Sequence, residues 1–260
     1  MKPSTMTSGL LQLAQAAGQV IMAIYATNCA ARTKADQSPV TEADEKAEAL
    51  IVAGLGRHWP HIPVIAEESA AAGHLPKCGN QFFLVDPLDG TKEFLSRNGE
   101  FTVNIALITD GLPVLGVVYA PAVEMVYWGE SGRGSAKANL APSDDLAHTV
   151  WSPILVRKIP EIGATVLASR SHRDAETDAY LATIKVAQLI GAGSSLKFCT
   201  VAAGEADIYP RFGRTMEWDT AAGHAVLAAA GGQVNQTDGL PLRYGKRERG
   251  YDNPAFIASA

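Results

Sequence analysis

Apolar side chains recur at Leu10, Leu13, Ala17, Val20, Ile21 and Ile24, with Gln12, Gln15 and Gln19 between them. That spacing gathers the apolar set on one helical face, so residues 8–27 are expected to form an amphipathic helix of a cytoplasmic protein and not a leader peptide. Residues 28–40 keep no period and end in Ser38-Pro39, which discourages helix, so they read as a loop. Thr41-Glu42-Ala43-Asp44 has the form of a capping box, with Thr41 as N-cap of a helix reaching about Leu55. A short strand is expected over 62–66, ending in Glu67-Glu68, and a small-residue loop over 69–79. Residues 81–85 are strand formers. Phe101, Val103, Ile105 and Leu107 alternate with less apolar neighbours, as a half-buried strand over 101–108 would. Asp110-Gly111 is a hairpin signal, and strands over 114–119 and 124–128 follow it, so this half is expected to hold antiparallel sheet.

The pattern loosens over 139–163, where Pro142, Pro153 and Pro160 fall among scattered charges. Beyond it, strands expected at 165–168, 187–190 and 206–209 alternate with helices at 174–183, 195–204 and 220–230. Alternation of that kind indicates an α/β unit. The expected fold class is α/β: an α+β N-terminal lobe over 1–140 and an α/β C-terminal lobe over 141–260.

Composition narrows the partners. The 260 residues are 47% hydrophobic and 19% charged, with a net charge of −5. An acidic chain of this kind argues against a nucleic-acid polymer or an anionic membrane surface as main partner. No run approaches the 18 apolar residues or more of a membrane span. Cys29, Cys78 and Cys199 form neither a CxxC pair nor a disulfide framework and read as thiols in a reducing compartment.

The chemistry concentrates in Asp86-Pro87-Leu88-Asp89-Gly90-Thr91-Lys92-Glu93-Phe94, directly after the strand at 81–85. Pro87 fixes its φ, and Gly90 permits a close backbone approach before a helix begins. Carboxylates at a strand end beside free N–H groups suit a divalent cation bridging to a phosphate. Asp44, Glu67-Glu68, Asp86/Asp89 and Asp219 all terminate expected elements, and together they supply six carboxylates. Brought together without a cation they would repel one another. All are hard oxygen donors, so Mg²⁺ or Mn²⁺ is favoured over Zn²⁺.

Glu67-Glu68, Asp86-Pro87-Leu88-Asp89-Gly90-Thr91 and Trp218-Asp219-Thr220-Ala221-Ala222-Gly223 resemble, in order and spacing, the three signatures of the inositol monophosphatase superfamily of Mg²⁺-dependent phosphatases. Lys92-Glu93-Phe94, Ser169-Arg170-Ser171-His172, Gly193-Ser194-Ser195-Leu196-Lys197 and Tyr209-Pro210-Arg211-Phe212-Gly213 are similar to its bacterial 3'(2'),5'-bisphosphate nucleotidase branch, the CysQ type. The resemblance implies a layered αβαβα sandwich. It also implies removal of the 3'-phosphate from adenosine 3',5'-bisphosphate, with 3'-phosphoadenylyl sulfate as a second substrate. It implies about two or three bound Mg²⁺ ions, as in multi-metal phosphatases. Glu67, Asp86, the Leu88 carbonyl, Asp89 and Asp219 would bind metal. Glu68 would orient the attacking water, and Thr91 with Asp44 would help deprotonate it. Gly90 and Thr91 would meet the scissile phosphate, to which Glu67, Leu88, Asp89 and Asp219 also lie close. Ser169, His172, Gly193 and Lys197 would hold the nucleotide, with Arg211 as a second phosphate partner. The resemblance also implies a cytoplasmic protein, with a peripheral place on the inner membrane's cytoplasmic face in relatives.

Several of these residues have a structural reading too. Asp44 completes the capping box, Asp219 suits an N-cap, and Glu67-Glu68 suit a solvated strand end. Lys197 suits an ordinary surface position, and His172 a structural one. Trp59, Trp128 and Trp151 read as packing residues. His224 follows Asp219 by five, outside helical pairing, and is declined as a ligand. An inositol or sugar phosphatase of the same class, or a non-catalytic nucleotide- or metal-binding protein, would use the same acidic residues.

Overall fold

Helix α1 (Thr5–Tyr25) buries Leu10, Leu13, Ala17 and Ile21, the face its spacing predicts. The Ser4 hydroxyl caps it by accepting the Thr7 N–H at 3.1 Å. The computed structural model describes residues 1–27, 31–33, 39–169 and 175–260, with Ser169 by its backbone alone. The expected loop over 28–40 is not loop throughout: β1 (Ala31–Thr33) and β2 (Pro39–Thr41) pair antiparallel, Ala31 opposite Thr41. Helix α2 (Glu42–His58) starts at the predicted capping box, where the Thr41 N–H donates to Asp44 Oδ2 at 2.8 Å and Thr41 Oγ1 accepts from Ala43 N–H at 3.1 Å.

β3 (Val64–Ala66) runs into α3 (Glu67–Ala71), so Glu67 and Glu68 open a short helix instead of ending a strand. β4 (Gln81–Asp89) extends through the acidic turn, and α4 (Thr91–Leu95) follows it. β5 (Thr102–Thr109) and β6 (Leu112–Ala120) form the predicted hairpin, with Asp110 at φ 52° and Gly111 at φ 76°. Both turn residues are left-handed, as the tightest hairpins require. β7 (Met125–Glu130) and two strands without a sequence signal, β8 (Gly134–Asn139) and β9 (Ser152–Ile154), complete a seven-stranded sheet in order β3 to β9. β3 is parallel to β4, and every other pairing is antiparallel.

β10 (Ala164–Ser169), α5 (Ala175–Leu181), β11 (Val186–Ala192), α6 (Leu196–Ala202), β12 (Ile208–Arg211) and α7 (Glu217–Ala229) realise the predicted alternation. β13 (Gln233–Gln236) and β14 (Phe256–Ser259) are additions to it. The second sheet has five strands in order β11-β10-β12-β14-β13, with β14 antiparallel to both neighbours.

The layers run α1/α2, first sheet, α6/α7, second sheet, α5. This is the αβαβα sandwich that the resemblance implies. One core joins α1 and α2 to the first sheet through Leu10, Ile51, Phe83, Val103 and Ile105. A second joins both sheets to α6 and α7 through Leu84, Ala106, Phe198, Ala222, Val226 and Phe256. Because β5 is covered on both faces, it is buried from Thr102 to Ile108 and not half-buried as its alternation suggests.

Close approach of α7 depends on two glycines. Gly116 and Gly129 face each other across β6 and β7. A Cβ at Gly116 would meet the Ala222 carbonyl oxygen and lie 2.7 Å from the Ala225 Cβ; at Gly129 it would lie 2.7 Å from the Ala225 carbonyl oxygen. Gly116→Ala is therefore expected to destabilise the protein by about 1–3 kcal/mol, as overpacked cores do, and to lower activity by displacing the helix that carries Asp219. The control is Gly56→Ala on α2, where an added Cβ meets nothing within 4 Å. Thermal melts of both variants check this: a Gly116→Ala midpoint at or above that of Gly56→Ala contradicts it.

Candidate metal centre

Three elements from separate parts of the chain converge at one end of the α6/α7 layer. β4 supplies Asp86 and Asp89, α3 supplies Glu67, and the first turn of α7 supplies Asp219. Asp86 lies opposite Asn104 and Asp89 opposite Thr102, so β4 carries an extra residue between those pairs. Pro87 sits in that bulge, where its missing N–H costs no ladder bond. The Leu88 N–H turns back to Asp86 Oδ1 at 3.0 Å, and the Leu88 side chain is buried. Gly90 takes φ 95°, and a side chain there would also approach the Glu100 carbonyl oxygen.

Carboxylate oxygens of Glu67, Asp86 and Asp219 lie within 4.8 Å of one another. Burial, then Glu67, Asp89 and Asp219, pushes the Asp86 carboxyl well above its usual range. Burial, then Asp89 and Glu67, does the same to Asp219. Asp89 is pushed up to about 6 by burial, against the pull of Lys197 and the Ser195 N–H. Crowded, buried carboxylates of this kind fit a hard cation, which would remove both the repulsion and the desolvation penalty. No His or Cys belongs to the cluster among the described residues, so a soft-metal site does not fit.

Glu67 and Glu68 owe their place to Glu48, a buried residue the sequence analysis passes over. Its carboxylate accepts the Glu68 N–H at 2.6 Å and both the N–H and hydroxyl of Ser69, at 2.7 and 2.6 Å. The signal was present: Glu48 follows Asp44 by four on the buried face of α2. Asp219 is not an N-cap. It is the third residue of α7, and its Oδ2 accepts the Met216 N–H at 2.8 Å.

Asp44 closes the capping box and also meets Thr91. One oxygen closes the capping box, and the other accepts Thr91 Oγ1–H at 3.1 Å. Burial raises its carboxyl, and hydrogen bonds from Thr41 and Thr91 offset this only in part.

The second half approaches the same point. The Gly193 N–H donates to Glu100 Oε2 at 2.8 Å, and the Ser195 N–H to Asp89 Oδ2 at 2.6 Å. Lys197 is not a surface lysine: it is 4% exposed, with Nζ donating to the Ser194 and Ala192 carbonyls at 2.7 and 3.3 Å and lying 5.0 Å from the Tyr209 ring centre. Burial lowers it to about 8, although Asp89 opposes that shift. Arg211 donates to the Arg214 carbonyl at 3.0 Å, and its buried Nε has no partner among the described residues. His172 lies outside the described residues, and Ser169 is described by its backbone alone. His224 is buried, with Nδ1 3.0 Å from the Tyr244 hydroxyl, and is no part of the cluster.

Residues 2–259 match the model of the inositol monophosphatase family. The chain is 45% identical over 256 residues to the 3'(2'),5'-bisphosphate nucleotidase CysQ of Escherichia coli O157:H7, covering 98% of this chain and 99% of that one. It is 30% identical over 249 residues to the protein of that name in Haemophilus influenzae, covering 95% of this chain and 90% of that one. The crystal structure of CysQ from Bacteroides thetaiotaomicron superposes with a TM-score of 0.82 at 39% identity, covering 98% and 96% of the two chains. Inositol monophosphatase from Anabaena superposes at 0.74 with 25% identity, covering 98% and 90%. The convergent carboxylates, the layered fold and a match running nearly end to end make this chain a member of the inositol monophosphatase family.

Proposed function

We propose that the protein is a Mg²⁺-dependent 3'(2'),5'-bisphosphate nucleotidase, removing the 3'-phosphate of adenosine 3',5'-bisphosphate to leave AMP. 3'-Phosphoadenylyl sulfate is proposed as a second substrate. The observation that carries the reading is the cluster of half-buried Glu67 and Asp219 with buried Asp86, in a chain 45% identical, nearly end to end, to a nucleotidase of that name. Mg²⁺ held there, with Mn²⁺ as a substitute, supplies Lewis-acid charge neutralisation to the phosphoryl group.

The chain's own residues do the positioning. Glu67, Asp86, the Leu88 carbonyl, Asp89 and Asp219 form the proposed ligand set. Thr91 Oγ1 donates to Asp44 Oδ1, so its lone pairs face away and can take a hydrogen from the attacking water. A proton passed to Thr91 moves Thr91's own proton to Asp44, whose raised affinity for it suits a general base. Glu68, one residue into α3, orients the same water. The Gly90 and Thr91 N–H groups are proposed to meet the scissile phosphate. Attack in line breaks the bond from phosphorus to the 3'-oxygen, which takes a proton from solvent as Asp44 releases to solvent the one it received.

The distal phosphate lies beyond any metal. Lys197 commits two of its three N–H donors to carbonyls, which leaves one. Arg211 has its Nε unpartnered among the described residues. These two, with Gly193, His172 and Ser169, form the proposed nucleotide site. The reading puts the enzyme in the cytoplasm: Cys78 and Cys199 are free thiols, and among the described residues no helix is long and apolar enough to cross a membrane.

A substrate panel with released phosphate as readout tests the reading. Adenosine 3',5'-bisphosphate should turn over faster than inositol 1-phosphate, and chelation of Mg²⁺ should abolish both activities. Faster release from the inositol ester would reassign the substrate. Activity that survives chelation would remove the metal.

A further inference from the structure

Strand β5 carries a polar interruption that the ligand set does not explain. Its residues facing the α6/α7 layer are Thr102, Asn104, Ala106 and Ile108; the last two belong to the core shared with α6 and α7. The first two are polar and buried, Thr102 at 0% and Asn104 at 1% exposure. Burying polar groups costs stability unless they are paired, so the positions call for a partner. They find it in Ser195, at the N-terminal edge of α6. Thr102 Oγ1 and Ser195 Oγ lie 2.8 Å apart, and Ser195 Oγ donates to Asn104 Oδ1 at 2.7 Å. Ser195 spends its one proton on Asn104, which makes Thr102 the donor to Ser195; Thr102 Oγ1 also lies 3.4 Å from Asn104 Oδ1, so the three side chains close a triangle.

The same residue, Ser195, gives its backbone N–H to Asp89 Oδ2 at 2.6 Å. Its hydroxyl therefore anchors the amide that orients this carboxylate. Register strengthens the link. Thr102 is the cross-strand partner of Asp89, and Asn104 that of Asp86. Residues directly opposite on neighbouring strands share a face. The Nδ2 of Asn104 is buried and has no hydrogen-bond partner among the described residues. An amide at this position sets a donor, not another negative charge, beside the cross-strand neighbour Asp86.

We propose that Thr102, Asn104 and Ser195 form a latch between the two halves of the chain that positions Asp89 for cation binding, with Asn104 and Ser195 as positioning residues. The proposal rests on the metal-centre reading but not on the identity of the substrate. Hydrogen-bond partners that orient metal ligands typically account for about 10–100-fold in metal affinity or activity.

The test is Mn²⁺ binding to the metal-free full-length chain, followed by electron paramagnetic resonance of the free ion, with no turnover involved. Ser195→Ala keeps the backbone N–H and removes the hydroxyl; it should weaken Mn²⁺ binding about tenfold, while the thermal midpoint of the metal-free protein falls by about 2–4 °C for the lost buried hydrogen bond. Ser195→Thr keeps a hydroxyl and should bind within about twofold of wild type, a rescue that packing alone would not produce. Asn104→Ala should weaken binding similarly, and the double variant should add little, because both changes break one chain. Wild-type affinity in Ser195→Ala, or fully additive losses in the double variant, would overturn the latch. Absence of Mn²⁺ binding in the wild-type chain would overturn the metal-centre reading instead, so the two failures separate.

Discussion

Asp86→Asn should lower turnover by more than about 100-fold, which exceeds the loss expected when only an outer partner of a metal ligand is removed. Asp86 is 1% exposed, and its oxygen lies within 4.8 Å of those of Glu67 and Asp219. The substitution removes a charge without changing volume. Asparagine Oδ1 can still accept the Leu88 N–H, so the bulge in β4 should persist. The metal-free variant should melt no lower than wild type, because removing one crowded negative charge relieves repulsion in the cluster. Mg²⁺ should raise the wild-type midpoint by binding only the native state and raise the variant's much less. Phosphate release at saturating Mg²⁺ and melts with and without chelator check both parts. Wild-type turnover in this variant would mean that the cluster is not the catalytic centre.

The largest expected loss of stability lies two residues from Asp219. Glu217 is fully buried and accepts the Gly245 and Lys246 N–H groups at 2.7 and 2.8 Å and Lys246 Nζ at 2.7 Å. Asn253 Nδ2 donates to the Met216 carbonyl at 2.8 Å, so residues 245–253 are tied to the start of α7 at two points. Glu217→Ala strands two buried backbone donors and leaves the Lys246 ammonium only the Arg243 carbonyl and Asn253 Oδ1, a loss of about 3–5 kcal/mol at about 1–3 kcal/mol for each orphaned donor. For a chain of this length that corresponds to roughly 10 °C in the melting midpoint. Glu217→Gln keeps acceptor capacity and should lose less than half as much. Equal losses for the two variants would mean that shape, not hydrogen bonding, holds the α7 start.

What the sequence makes legible here is local. The Thr41 capping box, the turn after β4 and the Asp110-Gly111 hairpin are each specified by residues a few positions apart. β8 is different. Gly134-Ser135-Ala136-Lys137-Ala138-Asn139 has no β-branched or aromatic residue, and it becomes a strand because β7 offers it an edge. The short helix at Glu67 is likewise invisible locally, because the carboxylate that caps it lies 20 residues earlier. The acidic motifs point to the centre, whereas of the contacts that orient them only Glu48, four residues after Asp44, leaves a trace in the sequence. Ser195 and Asn104 meet across 91 residues, and the Gly193-to-Lys197 motif that contains Ser195 says nothing of Asn104. Lys197 has a surface reading beside its nucleotide-binding one; only the carbonyls of the folded turn show where its charge is held.

Helix α7 touches both sheets and carries an acidic residue of the centre in its first turn. Two slabs welded by a shared helical layer cannot swing apart like a clamshell without exposing apolar surface on both sides of it. The spacing of the acidic residues at the centre is therefore set by the packing of that layer and not by a hinge between the sheets.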